Sequence, residues 1–382
     1  MKTQGPVRLA DLTNDPTNNP MNSMKQMDAT KPMNPMPNHA ENPCGLTGFA
    51  FAVFAAPDPD MLHRLFLAFG FSRTQRHRQH AIDLYEQGQI VFLLDRRTAG
   101  FSAQFSTVHG PSISAMGWRS SQSDLAADAA ITRGAQKGAG DLVRADDTPV
   151  PAVRGIGDSL IYFVDDRDRW DTLGFVPLSS PDRVPDKGFT HLDHLTNNVP
   201  RGELAKWGSF YRDVFGFTEV RYFDIRGVKT GLTSYALRSP DGSFCIPINE
   251  GTEKGSQINE YLEEYKGAGI QHLAFLTDDI LASLAKLEGT PIQFLDIDDD
   301  YYRDVFQRVP NVGEDHAEIQ RRNVLVDGDE HGYLLQIFTK NLIGPIFIEL
   351  IQRRNHLSFG EGNFGALFRS IERDQQRRGY LT

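Results

Sequence analysis

Ile113-Ser114-Ala115-Met116-Gly117-Trp118 and Ile270-Gln271-His272-Leu273-Ala274-Phe275 are two apolar runs of the same shape, one in each half of the chain. Their surroundings repeat as well. Phe69-Gly70-Phe71 and Phe215-Gly216-Phe217 each follow the first helix expected in their half, and Leu160-Ile161-Tyr162-Phe163 matches Ile346-Phe347-Ile348-Glu349 in the same order. Repetition over so long a unit marks a duplicated domain and not a short-period solenoid. The fold class expected is therefore α+β, built from two related modules.

Working outward, GFAFAVF, QIVFLLD, SISAMGW and SLIYFVDD read as strands of the first half, and PDMLHRLFLAF and SDLAADAAITRGA as helices. In the second half GFTHLDHL, GFTEVRYF, GLTSYALRS, GSFCIPINE, GIQHLAFLTDD, GYLLQIFT and GPIFIELIQ read as strands, with helices over GELAKWGSFYRDVF and ILASLAKLE. The first module is placed at 45–170, a Pro/Asp-rich linker at 171–187 and the second module at 188–382. Residues 1–44 hold six of the eight methionines among Pro, Asn and Thr, without hydrophobic periodicity. Such a segment buries too little apolar surface to offset its ordering entropy, so a disordered tail is expected.

The chain has 382 residues and a formal net charge of −10. That acidic balance argues against nucleic acid or an anionic membrane surface as partner, because both require a basic footprint. Cys44 and Cys245 are too few for a disulfide framework or a cysteine metal site. No apolar stretch approaches the roughly 18 residues of a membrane span, and the first residues lack the apolar core of a signal peptide. A cytoplasmic location is expected.

Chemistry enters through polar residues lodged in apolar strands. Most of the eleven histidines lie in polar stretches, His77 and His356 among them, and read as surface residues. His194 and His272 do not. Strand alternation puts His194 on the face of Leu192 and Thr196, opposite His191, and His272 on the face of Ile270 and Ala274. Taken singly, each reads more simply as a hydrogen-bonded core histidine than as a ligand. Glu349 is flanked by Ile348 and Leu350, and a carboxylate buried there must be paired, hydrogen-bonded, protonated or bound to metal. By itself, an ion pair with Arg353 or Arg354 is as good a reading as ligation. Together, two histidines and a carboxylate on three strands compose the facial triad of non-haem Fe(II) centres. The corresponding first-half positions, about Phe54, Ala115 and Phe163, cannot ligate.

Further polar groups alternate onto shared faces: Leu334, Gln336 and Phe338 on one strand, Cys245, Pro247 and Asn249 on another, with Ser234 and Gln257 nearby. With Phe338 and Phe347 they would form an apolar slot for a small aromatic ligand. Phe359-Gly360-Glu361-Gly362-Asn363 reads as a glycine-hinged turn with Asn363 as N-cap. Beyond it Phe364, Leu367, Phe368 and Ile371 make an apolar helical stripe, suited to docking on the core or to closing the site as a lid.

These residues, carried in LDHLTNNV, RYFDIRG, GLTSYAL, PINE, GIQHLAFLTDDI, LLQIFTKNLIGPIFIELIQRR and FGEGNFGALFRSIERDQ, resemble the 4-hydroxyphenylpyruvate dioxygenase family of the vicinal oxygen chelate superfamily. The resemblance runs from about Asn42 to the C-terminus and is densest after Gly188. It implies tandem βαβββ open barrels and a C-terminal lid helix. It assigns His194, His272 and Glu349 as Fe(II) ligands. Gln336, Asn249 and Ser234 match catalytic polar positions, and Gln257, Gln271, Pro247, Phe338, Phe347, Phe359, Asn363 and Phe364 match substrate-binding ones. By simple alternation Gln271 faces away from His272, so its contact is expected to be indirect. The resemblance further implies conversion of 4-hydroxyphenylpyruvate and O2 to homogentisate and CO2, by oxidative decarboxylation, ring hydroxylation and side-chain migration, in tyrosine and phenylalanine catabolism. A homo-oligomer, dimer or tetramer, is implied too. The rival readings are 4-hydroxymandelate synthase, on the same fold, and a non-catalytic binding protein.

Overall fold

The computed structural model describes residues 41–227 and 229–381. Most of the stretch read as a disordered tail, through residue 40, lies outside the described residues. Its last part belongs to the folded protein: Asn42 pairs through its side chain with both backbone groups of Leu46, and Cys44 is buried.

The first module holds strands β1 (Leu46–Ala55), β2 (Ser72–His77), β3 (Ile82–Gln87), β4 (Ile90–Asp95), β5 (Ser112–Ser120), β6 (Ala152–Arg154), β7 (Leu160–Asp165) and β8 (Phe175–Asp182). Its helices are α1 (Pro59–Ala68), α2 (Phe101–His109) and α3 (Ser123–Thr132). The second holds β9 (Phe189–Val199), β10 (Thr218–Arg226), β11 (Gly231–Arg238), β12 (Cys245–Gly251), β13 (Gly269–Thr277), β14 (Leu325–Gly328), β15 (Tyr333–Phe338) and β16 (Phe347–Arg354). Its helices are α4 (Leu204–Phe215), α5 (Gln257–Tyr265), α6 (Ile280–Leu287), α7 (Asp299–Arg308), α8 (His316–Arg321) and α9 (Phe364–Arg377).

The duplication is visible in the sheets. Their orders are β6-β7-β5-β1-β4-β3-β2-β8 and, read from the matching end, β14-β15-β16-β13-β9-β12-β11-β10. Seven strands correspond, while β14 and β8 are additions at opposite edges. The parallel pairs correspond as well, β1 with β4 like β9 with β12, and β5 with β7 like β13 with β16. Local signals set the ends of the helices. Asp58, Ser256 and Asp279 cap α1, α5 and α6 through side-chain oxygens, and Gly216 ends α4 in the left-handed conformation.

The segment 171–187, expected as a linker, contains β8, which pairs antiparallel with β2 at the sheet edge. FVPLSSPD has no alternation to announce a strand. Its anchor is Phe175, buried in the first module's interior, and Pro177 is tolerated because the strand lies at the edge. His77, expected at the surface, is buried beside it, with Nε2 3.1 Å from the Val143 carbonyl.

Each sheet has an inner and an outer face. The outer faces share one aromatic core: Phe71, Phe92 and Phe189 surround Phe275, and Trp118 packs on Phe215, Phe217 and Phe244. The first module's inner face is filled by Phe51, Leu84, Leu93, Leu160, Tyr162 and Phe175. The second module's inner face is left open for a site.

Candidate metal centre

The central strands β9, β13 and β16 bring His194, His272 and Glu349 together. Glu349 Oε2 lies 3.1 Å from His194 Nε2 and 3.4 Å from His272 Nε2, and the two imidazole nitrogens are 3.4 Å apart. Ligands at right angles, each about 2.1 Å from a common ion, stand about 3 Å apart. Two imidazoles and one carboxylate on one side of a shared point therefore fit an ion with open positions on the other side. Neither arginine pairs with Glu349 as the plainer reading had it: Arg353 pairs with Asp193, and Arg354 with Glu314.

Each histidine is oriented by the residue before it. Asp193 Oδ2 lies 2.7 Å from His194 Nδ1, and Gln271 Oε1 lies 3.1 Å from His272 Nδ1. In both rings the acceptor holds the proton on Nδ1 and turns Nε2 toward the common point. Two β-bulges make this possible. The β9–β13 register slips by one residue at Gln271 and again at Asp193. An extra residue interrupts alternation, so two successive side chains can serve the same face. Gln271 thus shares the face of His272 and lines the cavity, whereas simple alternation turns it away. The bulge at Asp193 likewise moves Leu192 off the face of His194 and into the outer core.

The electrostatics suit a cation. Burial disfavours a charged His194, but the carboxylates of Glu349 and Asp193 outweigh it and lift the group to about 9. At His272 burial prevails and lowers the group. Burial pushes Glu349 up, yet the two histidines hold it below its ordinary range. A divalent cation bound between these groups competes with a proton for the same donors.

The triad opens into a cavity of about 630 Å³, its mouth included. Ser234, Pro247, Asn249, Gln257, Gln271, Phe338, Phe347, Phe359 and Phe364 line it. His272 stacks on Phe347, with ring centroids 4.7 Å apart. Gln336 and Asn363 do not line it. Gln336 shares the face of Phe338 but lies under the hinge, where a Cβ at Gly360 would strike its amide. Among the described residues its Nε2 has no hydrogen-bond partner. Asn363 precedes α9 without capping it; Oδ1 accepts a 2.6 Å bond from Tyr301 and anchors the helix.

Thr196, Phe223, Ile225, Leu232, Leu367, Phe368 and Ile371 also line the cavity. Leu367, Phe368 and Ile371 stood out as a helical stripe, whereas Phe223 and Ile225 gave no sign beyond alternation along β10. In the first module the paired registers place Phe51, Ala115 and Tyr162 at the three ligand positions, and not Phe54 and Phe163. A one-residue slip in aligning the repeats exchanges the faces of a strand. Phe54 and Phe163 point to the outer core.

Comparison with known proteins follows this geometry. Residues 40–175 match the family model for the N-terminal part of hydroxyphenylpyruvate dioxygenase, HPPD. Residues 191–337 match that of the glyoxalase/bleomycin resistance protein/dioxygenase superfamily. The chain is 42% identical over 353 residues to 4-hydroxyphenylpyruvate dioxygenase of Legionella pneumophila, covering 89% of this chain and 98% of that one. It belongs to the 4-hydroxyphenylpyruvate dioxygenase family. The chain is also 57% identical over 345 residues to Protein MelA of Shewanella colwelliana, covering 89% of this chain and 99% of that one. A solved xylose isomerase-like TIM barrel/4-hydroxyphenylpyruvate dioxygenase fusion protein superposes with a TM-score of 0.73 at 28% identity. That match covers 88% of this chain and 53% of the fusion protein. The family's match thus spans both modules.

Proposed function

We propose that the protein is a non-haem Fe(II) dioxygenase that converts 4-hydroxyphenylpyruvate and O2 to homogentisate and CO2 in tyrosine and phenylalanine catabolism. The observation that carries this is a two-histidine, one-carboxylate triad facing an aromatic cavity under a helix, in a chain of this family. His194, His272 and Glu349 would hold the iron, which when bound supplies a centre for chelating the 2-oxo acid and activating O2.

The protein's own contribution is positioning and exclusion of water. Phe338, Phe347 and Phe364 give the substrate ring an apolar seat. Ser234, Asn249, Gln257 and Gln271 offer hydrogen bonds around it, and Asn249 is steadied by a 3.4 Å bond to Asn198. Gln336 Nε2, without a hydrogen-bond partner among the described residues, is a donor in reserve at the hinge end. α9, with Phe364, Leu367, Phe368 and Ile371 turned to the cavity, acts as the lid. The same reading takes the protein as a cytoplasmic homo-oligomer, a dimer or tetramer, with no nucleic-acid or membrane partner. Among the described residues no helix is long and apolar enough to cross a membrane.

Product analysis tests the activity. Fe(II)-loaded protein given 4-hydroxyphenylpyruvate should yield homogentisate, with oxygen uptake matching CO2 release. Hydroxymandelate as the product, or binding without turnover, would reject the proposal.

A further inference from the structure

Arg353, at the end of β16, is a partly buried guanidinium that lies outside the residues lining the cavity and outside the triad. Its Nε and Nη2 donate to the two oxygens of Asp193 at 2.7 and 2.8 Å, the bidentate arrangement that fixes both planes. Asp193 in turn holds His194 Nδ1 at 2.7 Å. The remaining arm, Nη1, donates to the carbonyls of His356 at 3.0 Å and Ser358 at 2.6 Å. Those carbonyls lie in the turn that leads through Gly360 into α9. The guanidinium also sits 5.9 Å from the centroid of the Phe359 ring, and that ring lies 5.6 Å from the His194 ring. One side chain therefore bridges the support of a ligand histidine and the root of the helix that covers the site.

We propose that Arg353 is a positioning residue that couples His194, through Asp193, to the root of α9, so that metal binding and closure of the helix favour one another. With the turn in place, four donated bonds hold the guanidinium and keep Asp193 aimed at His194. If the turn swings away, two of those bonds go with it and the carboxylate is held less firmly. Coupling between two equilibria is reciprocal, so an ion that fixes His194 must also favour the turn that supports it. Among the described residues Gln271, the partner of His272, has no hydrogen bond to α9, so the coupling is assigned to His194.

The inference rests on the reading of the triad as an iron site, and the experiment separates the two. Anaerobic Fe(II) affinity and hydrogen exchange over residues 356–377 are measured for the wild type, Arg353→Met, Arg353→Lys and Asp193→Asn, with and without Fe(II). The wild type should bind Fe(II), and exchange in the turn and α9 should slow several-fold on binding. Arg353→Met should bind roughly 10–100-fold more weakly, as loss of an outer support does, and iron should no longer protect α9. Arg353→Lys keeps a charge for Asp193 but cannot reach the carbonyls as well. It should recover most of the affinity and none of the protection. Asp193→Asn leaves the carbonyl bonds in place, so it should lose affinity with metal-free α9 exchange unchanged, and it carries the test should Arg353→Met not fold. Failure of the wild type to bind Fe(II) would overturn the iron reading. Wild-type affinity in Arg353→Met, or undiminished protection of α9 in both Arg353 variants, would overturn the coupling alone.

Discussion

Glu349 has no arginine partner and sits between two imidazoles, so its role is readable from what remains after its removal. Glu349→Ala should keep its fold, because β16 is held by ladders to β13 and β15 on either side. It should bind Fe(II) more than about 100-fold more weakly, beyond the usual loss for an outer support, and lose turnover. Metal content after gel filtration, with circular dichroism as the fold control, checks both. A second carboxylate matters for stability and not for chemistry. Asp83 is fully buried among Arg73, Arg76 and Arg96. Burial pushes Asp83 up, but the three guanidinium groups outweigh it and hold the carboxyl below its ordinary value. A depressed group contributes stability that is full above the unfolded carboxyl pKa of about 4 and disappears as pH falls through the lower folded value. Asp83→Asn should therefore lose about 3 kcal/mol at neutral pH, since the arginines are left facing one another. Denaturant melts at pH 7 and pH 3 should show the gap narrowing in acid.

At the scale of elements, the bulges on β9 and β13 do what regular strands could not, placing a triad histidine and its orienting neighbour on one face. α9 supplies the other wall. It is held from outside by Ser370 and Arg373 on the Asp296 carbonyl and by Arg373 on Asp298, while Phe368 is buried against the cavity side. Because the polar bonds are independent of Phe368, Phe368→Ala should leave the helix formed but loosely seated. Its expected signature is a rise in KM of about tenfold, corresponding to roughly 1.4 kcal/mol of lost binding, with more oxygen consumed per homogentisate formed. An oxygen electrode paired with chromatography measures that ratio, and a ratio equal to wild type would count against α9 as a water-excluding lid.

For the whole molecule, duplication has produced two barrels with opposite fates. The first is packed solid: Phe51 and Tyr162 occupy two ligand positions with their rings 6.4 Å apart, and a Cβ at Gly117 would strike Phe51. It covers the outer face of the second. Residues 188–382 expressed alone would expose Phe189, Phe215, Phe217, Phe244 and Phe275, all buried in the shared core. An aromatic face of that size is an aggregation surface, so the fragment should be insoluble or bind a hydrophobic dye strongly. Co-expression with residues 41–187 should restore a soluble complex, assayed by size-exclusion chromatography.

The residue order determined the two-module plan, because paired apolar runs repeat wherever the core repeats. It also singled out the three candidate ligands, because His194, His272 and Glu349 break apolar strands in one copy and not the other. Most of the cavity was legible for the same reason: alternation assigns Ser234, Asn249 and Phe338 to faces without reference to distant residues. What alternation cannot register is a bulge, a property of the pairing between strands. The contact of Gln271 with His272, the turning of Leu192 into the outer core and the correct first-module equivalents waited for the β9–β13 and β1–β5 registers. The strand β8, with no period of its own, forms because β2 offers an edge and the barrel offers a place for Phe175. The link from His194 through Asp193 and Arg353 to the root of α9 joins residues 160 positions apart with their local neighbours. Hydrogen-bond geometry across such a distance exists once the chain has folded, and tertiary structure alone decides it.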